Sequence, residues 1–256
     1  MNVTNVKNVK LGPDHLETLT SMGNLASIYQ QQGRWDEAER LEMNVTNARK
    51  VKLGPDHPST LTSMANLASI YQQQGRLDEA ERLQIDVMNA RKAKLGPDHP
   101  STLTSMGNLA SIYQQQGRYN EAERLRVELM DSRKGKLSEH PDTLIIMANL
   151  ASTYGKQGRH DEAERLKVDV MNARKAKLGP AHPGTLNAMA TLAGTYWDQE
   201  RFDEARPLMS QAVQGMLQVM GPEHPTTVHY TKYYDLFQEK QSQEMAHSAF
   251  VSHSFI

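Results

Sequence analysis

Cysteine is absent from the 256 residues. Disulfides and thiolate metal sites are therefore excluded, and a reducing compartment, the cytoplasm, is the expected location. An excess of either charge is also lacking. The 29 Lys and Arg against 30 Asp and Glu give a formal net charge of −1, so nothing draws the whole chain toward nucleic acid or a membrane surface. No apolar run approaches the ~20 residues that a membrane span needs. The opening MNVTNVKNVKLGPDH has no apolar segment of the kind a secretory leader carries. The sequons at Asn2 and Asn44 are then chance matches. Catalytic signatures are missing as well: no GxSxG, HExxH or glycine-rich phosphate loop occurs. A non-enzymatic protein without cofactor or metal is expected.

What the sequence has is repetition. The stretch Leu53–Lys94 returns almost letter for letter from Leu95, and its opening position recurs at Leu11, Leu53, Leu95, Leu137, Leu178 and Met220. The period is 42 residues, with one step of 41 where LSEHP at 137–141 stands in place of LGPDHP. A fixed period of this length marks a repeat architecture, whose core lies between neighbouring units.

One unit shows the local structure. Apolar residues at Leu61, Met64, Leu67, Ala68 and Tyr71 fall three and four apart, one face of a helix. Gly75 suits the left-handed residue that ends it. Asp78, with Glu81 three residues on, predicts a capping box opening a second helix that buries Ala80, Leu83, Val87 and Ala90. That helix stops near Lys94, before Gly96 and Pro97, and Pro100 suits the first turn of the next. Each unit is a helical hairpin, and the fold class is all-α. Propeller blades share the period, and Trp35-Asp36 spells their dipeptide, but Leu77, Tyr119, His160 and Phe202 replace the tryptophan and nothing alternates with period two.

Three sets of residues recur in register. His15, His57, His99, His140, His182 and His224 sit at the junctions. Equivalent atoms in adjacent repeats lie at least ~8–10 Å apart, far beyond the ~2 Å that zinc requires, so these are read as helix-start residues. Acid pairs such as Asp78-Glu79 open the second helices, and basic pairs such as Arg91-Lys92 close them, which complements the helix dipole. Stacked, they predict one acidic and one basic rim. The third set is a polar stripe opposite the apolar face of the first helix: Thr62, Asn66, Ser69 and Gln73, repeated as Thr20, Asn24, Ser27 and Gln31, as Thr104, Asn108, Ser111 and Gln115, and partly as Asn149, Ser152 and Lys156.

Tyr71, Gly75, Ala80 and Val87 together resemble a tetratricopeptide repeat, and the GPDHPxTL junction looks like the kinesin light chain variety, as in arrays of fungal NB-ARC receptor-like proteins. The resemblance implies a right-handed superhelical solenoid over residues 1–240. It comprises a half repeat at 1–15, whose Met1–Lys10 matches Met43–Lys52, then hairpins starting near 16, 58, 100, 141 and 183, and a capping helix at 225–240. Residues 241–256 are expected to be frayed. First helices would line a concave groove where Asn24, Asn66, Asn108 and Asn149 hold the backbone of a bound peptide, each amide offering donors and acceptors. The lysines of a carboxylate clamp are missing, with Thr20, Thr62, Thr104 and Ile145 in their places. Residues 53–76 and 95–118 differ only at Ala65 and Gly107, which predicts a nearly uniform groove. The expected function is a scaffold for a protein or peptide partner. The alternative is a structural array that associates weakly with itself through charged rims, a fragment of a larger receptor-like protein.

Overall fold

The structure, a computed structural model, describes residues 12–132 and 141–253, with side chains through residue 239. Every regular element among them is helical. Helices α1 (Leu16–Gln31) and α2 (Trp35–Leu53) form the first hairpin, α3 (Pro58–Gln73) and α4 (Leu77–Leu95) the second, and α5 (Pro100–Gln115) and α6 (Tyr119–Asp131) the third. Then come α7 (Pro141–Lys156), α8 (His160–Leu178), α9 (Pro183–Asp198), α10 (Phe202–Met220) and α11 (Pro225–His253). The chain divides into two compact units, 1–135 and 136–256. Within each, a helix packs chiefly on the helices before and after it in sequence, the nearest-neighbour order of a repeat array. The half repeat expected at 1–15 falls, through residue 11, outside the described residues. Helix α11 continues to His253, beyond the end expected at 240.

The junction histidines are helix caps. His57 Nδ1 accepts the N–H of Ser59 at 3.1 Å, which satisfies one of the orphan donors of α3. His15, His99, His182 and His224 do the same for Glu17, Ser101, Gly184 and Thr226. His140 lies outside the described residues. Proline fills the first turn of α3, α5 and α9, where its missing N–H costs nothing.

The turn inside each hairpin needs a left-handed residue. Gly33, Gly75, Gly117 and Gly158 supply it at φ 73 to 77°. The fifth hairpin has Glu200 there, at φ 60°, the one non-glycine with positive φ among the described residues. The expected capping box is not formed. The second helices begin one residue earlier, at Leu77 in α4, with Arg76 at the cap position, where its side chain makes no capping bond. The reason is competition: Arg76 holds Glu79 at 2.6 Å, and Glu81 is taken by Arg118 of the next repeat at 2.8 Å.

The apolar stripe of α3 is buried from Leu61 to Tyr71 and meets Ala80 and Val87 of α4, both fully covered. Ala38, Ala122, Ala163 and Ala205 occupy the same crossing and are at most 1% exposed. Leu83 and Ala90 are half-buried, and so are Tyr29, Tyr113, Tyr154 and Tyr196, whereas Tyr71 is buried. No helix among the described residues is long and apolar enough to cross a membrane.

Candidate functional site

On unit 1 the polar stripe runs across three first helices. Asn24, Asn66, Asn108, Ser27, Gln31, Gln73 and Gln115 are exposed. Ser69 and Ser111 are half-buried, because each is bonded by the preceding first helix: Gln30 Nε2 donates to Ser69 Oγ at 3.0 Å and Gln72 Nε2 to Ser111 Oγ at 3.2 Å. These serines tie adjacent first helices together. Asn149 is exposed on α7, in unit 2.

Below the stripe lies a row that the sequence reading missed. At one register position the second helices carry Glu42, Gln84 and Arg126 on unit 1, and Lys167 and Met209 on unit 2. Glu42 is 1% exposed. It accepts from Asn66 Nδ2 at 3.3 Å and lies close beneath Gly23 of α1. Burial pushes its carboxyl up to about 7, against the opposing pull of Asn66, Arg49 and Ser63. Gln84, equally buried, donates to the Ser105 carbonyl at 3.0 Å. Arg126 donates to Gln114, and burial lowers its guanidinium to about 10. Lys167 donates to the Thr195 hydroxyl, and Met209 is fully buried and apolar. The row therefore does not repeat: it is acid, amide and guanidinium on unit 1, and ammonium and thioether on unit 2. The signal was present in the sequence, since this position never repeats its residue while the crossing alanine one turn before it always does.

The rims are also not two bare charged edges. Arg49 Nη1 donates to the Ser59 carbonyl and the Ser63 hydroxyl, and Arg91 does the same to Ser101 and Ser105. On the other side Arg76 bonds Glu39 at 2.8 Å and Glu79 at 2.6 Å, while its guanidinium lies 4.0 Å from the centre of the Tyr71 ring. Arg34, Arg118, Arg159 and Arg201 stack on Tyr29, Tyr113, Tyr154 and Tyr196 in the same way. Burial pushes Glu39 up, but its bonds from Arg76 and Gln74 outweigh that and hold it below the usual carboxylate range. The charges largely serve contacts inside and between repeats. Among the described residues no group of side chains could hold a metal ion.

Comparison with known proteins agrees with this geometry. One sequence profile described as tetratricopeptide repeat matches residues 41–93, 59–134, 109–176 and 142–218, and a second with the same description matches 18–59. No curated protein matches the sequence. Among solved structures, a Podosopora anserina protein described as a kinesin light chain with nearly identical TPR-like repeats is 33% identical. It aligns over 80% of this chain and 97% of its own, with a TM-score of 0.70. A single-substitution variant of that protein is 32% identical over 79% and 96%, with a TM-score of 0.71. BtubC of P. vanneervenii shares the fold at 19% identity, over 86% of this chain and 87% of its own, with a TM-score of 0.68. With its repeats matched from residue 18 to 218 and its hairpins capped, turned and crossed alike, the chain belongs to the tetratricopeptide repeat family, of the kinesin light chain-like kind.

Proposed function

We propose that the chain is a scaffold that binds an extended peptide segment of a protein partner along the first-helix stripe. Tetratricopeptide repeat proteins generally mediate protein–protein interaction and are generally not enzymes, which supports the reading at the level of the family. The observation that carries it here is the pairing of exposed and engaged polar groups on unit 1. Asn24 and Asn108 are exposed and make no hydrogen bond to the described residues. The serines beside Asn66 and Asn108, by contrast, are consumed in holding the helices in register. Rigid helices thus present regularly spaced amides to solvent, the arrangement that can replace the water a peptide backbone loses. Asn66 is the exception, since it serves Glu42.

Neutral hydrogen bonds of this kind contribute ~0.5–1.5 kcal/mol each, so affinity must come from several repeats. The test is selection of random peptides displayed on phage against the chain. Binding of the enriched peptides is then measured for wild type and for a variant with Asn24→Ala and Asn108→Ala. Weakening by about 1–3 kcal/mol, with an unchanged melting temperature, is expected from two such bonds. No enrichment, or enriched peptides indifferent to both substitutions, overturns the groove reading.

A further inference from the structure

The first helices of unit 1 are closed against one another by the bonds from Gln30 to Ser69 and from Gln72 to Ser111. At the corresponding places in unit 2 stand Gly155, where those glutamines are, and Gly194, where those serines are. A Cβ added at either glycine would meet nothing within 4 Å. Both halves of the bridge are absent, and a cleft of about 470 Å³, lined in part by Gly155, lies between α7, α8 and α9. That volume lies within the ~300–1,000 Å³ range of ligand sites.

The cleft has a distinct chemistry. Its floor residue is Lys167, whose ammonium is bonded to the Thr195 hydroxyl. Lys156 stands at its edge in place of the neutral Gln31, Gln73 and Gln115 of the other repeats. Arg174 also lines it and donates to the Gly184 carbonyl. Ala188 replaces the serine that receives the same guanidinium in the earlier repeats, so that bond is lost. Against these three cations the lining holds one anion, Asp198, which is exposed. Asn149 adds an amide, and Ala163 and Val170 a buried aliphatic wall.

The geometry points to this cleft as a subsite for an aspartate or glutamate side chain of an extended peptide, its carboxylate meeting Lys167 and Lys156 and its neighbouring aliphatic groups meeting the Ala163–Val170 wall. This rests on the peptide-scaffold reading and adds the sign of charge and the place. Burial lowers the Lys167 ammonium, with Asp198 opposing, so an incoming carboxylate relieves a group that is short of counter-charge. The side chain comes from the second helix, not from the first-helix positions where Thr20, Thr62, Thr104 and Ile145 stand, so a chain terminus is not required.

The experiment titrates the full chain with acetylated, amidated nonapeptide pools. Flanking positions are varied among Ala, Leu, Ser and Gly, and the centre is fixed as Glu, Gln or Lys. The Glu pool should bind about tenfold more tightly than the Gln pool, the scale of a charged hydrogen bond, and the Lys pool more weakly than either. Lys167→Met should abolish the Glu preference. It should fold, because Met209 holds the same place in the next repeat. Gly155→Gln, which restores the residue found at 30, 72 and 114, should narrow the cleft and weaken the Glu pool while leaving Lys167 intact. Equal binding of the Glu and Gln pools overturns the assignment and leaves the groove reading standing. So does a Glu preference that survives Lys167→Met. A Gln-centred pool with free C-terminal carboxylates that binds as well as the Glu pool would show a terminus as the occupant and overturn it too. Failure of every pool to bind removes both readings.

Discussion

Asn66 donates its side-chain amide to the carboxylate of Glu42 at 3.3 Å, joining α3 to the second helix of the preceding hairpin. Glu42 is buried, and its carboxyl is raised to about 7. A raised acid favours the protonated folded state. Its stabilising effect is complete below the unfolded value near 4.5 and is lost as pH rises through about 7. The shift corresponds to an upper limit of ~3 kcal/mol. Gln84 occupies the same position one repeat later and bonds the Ser105 carbonyl, the counterpart of Ser63. Glu42→Gln should therefore be stabilising at pH 8, by about 1–3 kcal/mol, and nearly neutral at pH 4.5. Urea melts of both proteins at the two pH values provide the check. Parallel curves across that range would show Glu42 to be solvated.

The turn of the fifth hairpin holds Glu200 at φ 60°, where the other four have glycine. Side chains adopt this region at a cost that glycine avoids. Glu200→Gly should raise stability by roughly 1 kcal/mol, and Gly75→Ala, at φ 77°, should lower it by about the same. Thermal melts of the pair should move in opposite directions. Two shifts of one sign would mean that loop strain does not set the difference.

Arg76 combines a stack on Tyr71 at 4.0 Å with bonds to Glu39 and Glu79. It is partly exposed, so the ion pairs are screened, and the stack contributes ~0.5–1 kcal/mol. Arg76→Ala should cost roughly 1–2 kcal/mol, and Arg76→Lys most of that, because an ammonium lacks the planar fork. Glu39 and Glu79 are held below the usual range. Their contribution is present above the unfolded value and falls away as pH drops through the folded one. The Arg76→Ala penalty should shrink at pH 3 and persist in part at 1 M salt. A penalty that vanished in salt would leave no role for the ring.

Period, hairpins and core were legible because repetition multiplies each weak signal. Leu61, Leu67 and Ala80 follow from spacing alone, and Gly75 from the turn it makes. The histidines needed a geometric argument against metal before their role as caps could be read. What escaped was chemistry set by neighbours. Asp78 and Glu81 have the spacing of a capping box, but Arg118 from another repeat outcompetes the local bond. Glu42, Gln84, Arg126 and Lys167 look like surface residues of a polar helix, because periodicity cannot say which polar residue a neighbouring repeat will cover. Gly155 lines a cleft shared by helices of two hairpins, which a single-repeat pattern does not show.

Trp197 and Phe237 stack with ring centroids 3.7 Å apart and planes 4° from parallel, fastening α9 to α11. Trp197 also meets Phe202 edge-on at 4.7 Å. Trp197 holds the register position of Gln30 and Gln72, and beside the stack Tyr230 donates to Asn187 Oδ1 at 2.8 Å. Phe237 is 2% exposed, and its truncation to alanine should cost ~3–5 kcal/mol. In a nearest-neighbour array the damage should be confined to α9–α11. The chain has two tryptophans, so a Trp35→Phe background leaves Trp197 as the sole reporter. In that background Phe237→Ala should shift the emission to longer wavelength and speed amide exchange in α9–α11, while α1–α6 keep their protection. Exchange that quickens equally in α1–α6 would mean that the whole chain unfolds as one cooperative body, contrary to repeat-by-repeat stability.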